Sequence, residues 1–156
     1  MLLTPALLAA ALLAAPAEPS PTDGCPGVMV FFASDSTRLD AEAQAMLDGS
    51  WTWLGDMIAA GAWINVSGHT DDVGTASYNL RLSRRRAEAV RLYYLHRGVR
   101  PDQIRITAFG ETRPIAELGE RHSNAVVRAT NRNVNASPEM PIAIFHRFFP
   151  PGAPIC

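Results

Sequence analysis

Apolar and polar positions change their period several times along this chain, and each change marks an element. After a Pro- and Gly-rich lead-in, EPSPTDGCPG at residues 18–27, the run Val28-Met29-Val30-Phe31-Phe32 is β-branched and aromatic and predicts a buried strand. From Asp40 the spacing turns helical. Asp40 is placed to cap, Glu42 lies in the first turn, and Leu47, Trp51, Leu54 and Ile58 recur on one face until Gly61. Trp63 and Asn65 then alternate with Ile64 and Val66, the period of a second strand running to Ser67. The pattern predicts a second helix from about Ser77 to Arg97, closed by Gly98 with Pro101 just beyond. A third strand is expected from Ile104 to Phe109, a short helix around Asn124 to Ala129, and a last strand within residues 132–147. No segment repeats another. Strands alternating with helices predict an α/β (α+β) domain in β-α-β-α-β-(α)-β order, its helices covering one face of a small sheet.

Size and charge narrow this picture. With 156 residues and 47% apolar content the chain suits one core. Its 14 cations and 15 acids nearly cancel, so the overall charge draws it to neither nucleic acid nor an anionic membrane, and ionic recognition must be local. All the cations are arginine, which suits two-pronged binding of carboxylates. The first seventeen residues, MLLTPALLAAALLAAPA, read as a signal peptide cleaved after Ala17. The run is too short to span a bilayer, and later apolar segments are interrupted by polar residues. Export makes a disulfide between Cys25 and Cys156 the expected state, ahead of two free thiols; lipid attachment at Cys25 is disfavoured by the preceding Pro21-Thr22-Asp23-Gly24.

Candidate chemistry gathers in GHTDDVGTASYNLRLSRRRA, residues 68–87. On a helical wheel Leu82, Val90 and Tyr93 share a face, with Asn79 and Arg86 between them, while Arg81, Arg84, Glu88 and Arg91 point away. Arg84 and Glu88 have the spacing of a surface pair. Arg86, aimed at the protein body, cannot shed its proton and calls for a carboxylate. Asp71, in the loop leaving the second strand, is the natural candidate. The two either bond each other or, held apart, grip a zwitterion, the arginine taking its carboxylate and the aspartate its ammonium. His69, Asp71 and Asp72 are too few convergent ligands for a metal site, and no second histidine lies nearby. Neither a nucleophile elbow nor a phosphate loop is present.

The run Ile64-x-Val66-x-Gly68-His69-Thr70-Asp71-x-x-Gly74, followed by Tyr78-Asn79-x-x-Leu82-Ser83-x-x-Arg86-Ala87-x-x-Val90, strongly resembles the OmpA-like C-terminal domain. Phe31-Phe32, Gly110-Glu111-x-Arg113-Pro114 and Asn131-Arg132-x-Val134 extend the resemblance over residues 28–134. It implies a non-catalytic module without cofactor, a mixed four-stranded sheet backed by helices, located in the periplasm at the cell wall or outer membrane. The ligand it implies is peptidoglycan, held through the diaminopimelate of the stem peptide by Asp71 and Arg86, with Asp35, Thr70, Asn79 and Arg132 around the pocket. The alternative is a fold that has lost its ligand and serves as a structural or adaptor protein among envelope partners. Two departures stand out. Asn133 interrupts the usual NRRV ending, and residues 135–156 replace a short last strand with a longer extension, in which the strand is expected late, around Pro141 to Phe145.

Overall fold

The computed structural model describes residues 27–115 and 123–150. The expected signal peptide, the lead-in up to residue 26, and both cysteines lie outside the described residues. The chain forms β1 (Val28–Phe31), α1 (Ala41–Ala59), β2 (Trp63–His69), α2 (Ala76–His96), a short 3-10 turn (Pro101–Gln103), β3 (Ile104–Gly110), α3 (Asn124–Asn131), β4 (Asn133–Glu139) and α4 (Ile142–Phe148). The strands lie in the order β1-β4-β2-β3. β4 runs antiparallel to both β1 and β2, whereas β2 and β3 are parallel, so the sheet is mixed.

Local chemistry accounts for the helix ends. Asp40, in extended conformation, accepts a bond from the Ala43 amide at 2.9 Å and so satisfies one of the free N–H groups at the start of α1. Thr75 does the same for α2. Gly98, at φ 88°, supplies the left-handed turn that ends α2. The inward side chains Val30, Ile64, Val66, Val134 and Ala136 of the sheet pack against Leu47 and Leu54 of α1 and Ala87, Val90 and Tyr94 of α2. Each fully buried valine, leucine or isoleucine among them contributes roughly 1.5–3 kcal/mol.

Four expectations need correction. β1 is not buried on both faces: Val30 is 1% exposed but Phe31 39%, because β1 is an edge strand and the helices cover one side only. On α2 the buried aromatic is Tyr94; Tyr93 is half-buried, its ring edge-on to Tyr94 and its hydroxyl donating to Asp48. A true 3.6-residue period carries the buried seam through Ser83, Ala87 and Val90 to Tyr94. Glu88 pairs with Arg91 at 2.8 Å, one turn toward the helix C-terminus, instead of with Arg84. Lastly, the fourth strand is Asn133–Glu139, and Pro141 to Phe145 is no strand but the start of α4. Proline has no N–H for a ladder, and here its carbonyl accepts from the Ile144 and Phe145 amides, turning the chain so that Phe145 enters the core.

Candidate ligand site at the carboxyl end of β2

Topology collects the site. β4 begins where β1 and β2 end: Asn133 faces Phe31, and Val134 faces Gly68. Arg132, just before β4, therefore stands beside the segments leaving both strands. His69 is paired with Gly110 of β3, which brings Glu111 to the same end.

α2 is pressed against this end by two residues. A Cβ on Gly68 would lie 2.2 Å from the Ser83 carbonyl oxygen, so only glycine lets the helix sit this close to β2. The Ser83 hydroxyl in turn accepts from the Gly110 amide at 3.0 Å, fastening the end of β3 to the helix. Less than one turn further along is Arg86, with 0% of its surface exposed.

The surroundings of Arg86 differ from the expectation of a carboxylate partner. Its Nε donates to the Ser36 carbonyl at 2.9 Å, one terminal nitrogen to the His69 carbonyl at 3.2 Å and the other to the Ala33 carbonyl at 3.0 Å. Its Cζ lies 5.3 Å from the centroid of the Phe32 ring. Three of the guanidinium's five N–H donors are thus occupied by main chain, leaving one on each terminal nitrogen without an assigned partner among the described residues. Burial pushes the Arg86 pKa down to about 10, an effect that the charge of Asp71 partly offsets. Residues 33–36 present their carbonyls from a loop bent at Asp35, whose φ of 51° is one that aspartate adopts more readily than most side chains. The Asp35 carboxylate accepts from the Tyr78 hydroxyl.

Asp71 is 7% exposed and does not bond Arg86. One of its oxygens accepts from Arg132 at 3.1 Å and the other from the Val73 amide at 3.3 Å. Arg132 also donates to the Phe32 carbonyl at 3.1 Å. Asp71 thus bonds only one of the two guanidinium groups, that of Arg132, and acts on Arg86 through its charge alone, so the trio carries a net positive charge. Thr70 is 2% exposed with its hydroxyl oxygen unpartnered. Asn79 donates to the Asp71 carbonyl at 3.3 Å and to Glu111 at 2.5 Å, and its own side-chain oxygen is likewise unpartnered. A cleft of about 290 Å³ opens on the Thr70 side, lined by Thr70, Asp72, Glu111, Pro114, Val127, Arg128 and Asn131; Asp71, Asn79 and Arg86 are not part of its lining.

The six expected site residues thus lie at one end of the sheet, but in two settings. Asp71, Arg86, Thr70 and Asn79 are buried and Arg132 is half-buried beside Asp71, whereas Asp35 is exposed and held by Tyr78. His69, Asp71 and Asp72 do not converge. His69 Nδ1 donates to the Arg113 carbonyl at 2.8 Å, its ring lies 5.2 Å from that of Phe109, and burial lowers its pKa. Asp72 turns outward to Arg128 at 2.8 Å, a contact that lowers its pKa. Sequence reasoning gave no role to Glu111, Arg128 or Ser83. Glu111 carried a usable signal, standing directly after a strand-ending glycine; the carbonyls around Arg86 carried none, because backbone groups have no residue code.

These features can be set against known proteins. The OmpA family model matches residues 31–132. The peptidoglycan-associated lipoprotein of Rhizobium meliloti is 42% identical over 90 residues, covering 58% of this chain and 50% of that protein. Outer membrane porin F of Pseudomonas fluorescens is 41% identical over 76 residues, 49% of this chain and 22% of that one. The chain spans about half the length of the peptidoglycan-associated lipoproteins it matches. Among solved structures, the peptidoglycan-associated lipoprotein from Burkholderia pseudomallei superposes with a TM-score of 0.61 at 33% identity, covering 71% of this chain and 89% of that one. The C-terminal domain of Helicobacter pylori MotB, at 22% identity and a TM-score of 0.60 over 75% of this chain and 87% of that one, shares the fold. With its mixed four-stranded sheet, its helices on one face and a matching model across most of the described residues, this chain belongs to the OmpA family.

Proposed function

We propose that this chain binds peptidoglycan in the cell envelope without catalysing a reaction, and that it recognises the diaminopimelate of the stem peptide through Arg86 and Asp71. The observation that carries the reading is the state of Arg86. It is fully buried and oriented by three carbonyls, yet no acid neutralises it. A cation so placed has unspent attraction for a carboxylate, and in a poorly solvated site that attraction is stronger than at a surface. Asp71 stands in the same polar cluster, where the ammonium of an amino acid can share its carboxylate with Arg132. An amino acid's free end supplies both charges on one carbon. Peptidoglycan-associated lipoproteins among the chain's relatives support peptidoglycan as the ligand.

The alternative, an envelope adaptor that has lost its ligand, pictured Asp71 and Arg86 bonded to each other. Asp71 bonds Arg132 instead. Sedimentation with purified sacculi containing diaminopimelate separates the readings: the unaltered protein pellets with the wall, whereas Asp71→Ala and Arg86→Ala remain in the supernatant. An unaltered protein that stays in solution favours the adaptor.

A further inference from the structure

While one side of α2 faces inward with Arg86, its outer side carries a row of cations. Arg81, Arg84 and Arg85 are exposed, share the solvent side of the helix, and make no ion pair among the described residues. Other arginines do find acids: Arg91 pairs with Glu88, Arg97 with Asp48, Arg100 with Asp102 and Arg128 with Asp72. Glu88, on the same helix, is paired with Arg91, and Asp35 accepts from the Tyr78 hydroxyl.

The row starts at the mouth of the clamp. Tyr78 lies one turn before Arg81 and reaches Asp35, in the loop whose carbonyls hold Arg86. The Tyr78 pKa is raised, chiefly by its bond to Asp35, an effect that the charges of Arg85 and Arg86 partly oppose. A chain of net charge −1 therefore presents a locally positive ridge at its binding end. Adjacent like charges on a helix repel, and a ligand bearing several anions relieves that repulsion.

We propose that Arg81, Arg84 and Arg85 form a second contact surface beside the clamp, one that takes carboxylates of the stem peptide flanking the diaminopimelate. This rests on the clamp reading above and extends it from one residue to an acidic peptide. Free diaminopimelate, held by its end between Asp71 and Arg86, is too small to use the ridge. A tripeptide bearing an additional glutamate carboxylate is long enough.

The test compares two ligands, free meso-diaminopimelate and the tripeptide L-Ala-γ-D-Glu-meso-diaminopimelate. Each is titrated calorimetrically into the unaltered protein and into the Arg81→Gln/Arg84→Gln/Arg85→Gln variant, at roughly 50 and 500 mM salt, which span strong to weak screening. All three side chains are exposed, so the variant keeps its melting temperature; Arg81→Gln alone provides the same comparison with less disturbance. The expected result is an affinity for the tripeptide about three- to tenfold lower at low salt, a difference that shrinks at high salt, with free diaminopimelate unaffected. Equal tripeptide affinity for both proteins at low salt overturns the proposal while leaving the clamp standing. An equal loss for both ligands also overturns it, because the effect then lies in the clamp. An unaltered protein that binds neither ligand overturns the ridge and the clamp together.

Discussion

A guanidinium ringed by carbonyls is stabilised as a cation without being neutralised, and this separates Arg86 from the exposed arginines that simply pair with acids. Removing it leaves the buried His69 carbonyl without its donor, at a cost of about 1–3 kcal/mol, while water can reach the less enclosed Ala33 and Ser36 carbonyls. Arg86→Met is therefore expected to lower the urea unfolding free energy by about 1–3 kcal/mol, read as a shifted midpoint at constant slope. His69 offers a pH test. Burial lowers its pKa from 6.5, so the unfolded chain binds the proton more readily than the folded one. Its contribution to stability is complete above pH 6.5 and is lost as pH falls through the lowered value. Unfolding followed between pH 7.5 and about 5 should show that decline, with a shallower slope in His69→Gln. At this scale the sequence was half legible. The inward aim of Arg86 followed from helical spacing, and Asp71 from its place after a strand. Their actual partners did not, since three are main-chain carbonyls, one is the Val73 amide, and Arg132 is brought to Asp71 only by the pairing of β4.

Between elements, the decisive contact is the approach of α2 to β2. Gly68 and Ser83 set it, and both belong to motifs visible in the sequence. Gly68→Ala must push the Ser83 carbonyl away from a Cβ placed at 2.2 Å, and overpacking of this kind costs about 1–3 kcal/mol. Because Arg86 lies three residues beyond Ser83, the shift also displaces the guanidinium, so wall binding is expected to fall more than stability alone explains. Ser83→Ala strips the Gly110 amide of its acceptor, for about 1–3 kcal/mol by urea denaturation. Helix limits were readable from capping residues such as Asp40 and Gly98, whose chemistry is local. The final strand was less so. Asn133–Glu139 contains Pro138 and little of the β-branched signal, and it is a strand because β1 and β2 flank it; the apolar run after Pro141 resembles a strand but helps close the core as a helix.

For the molecule as a whole, the site exists because three strands and a helix bring their ends together at one margin of a small sheet. β4, inserted antiparallel between β1 and β2, sets Arg132 beside Asp71, and α2 sets Arg86 against the loop leaving β1. Among the described residues no helix is long and apolar enough to cross a membrane. Arg86, Arg132 and Asp71 give this end of the domain its polar character. Calorimetric titration of meso-diaminopimelate into the unaltered protein and into Arg86→Lys tests the account most directly, since lysine keeps the charge but lacks the planar fork. The account predicts saturable binding to the unaltered protein and an affinity at least about tenfold lower for Arg86→Lys. Absence of binding to the unaltered protein, or equal affinity for the two, contradicts it.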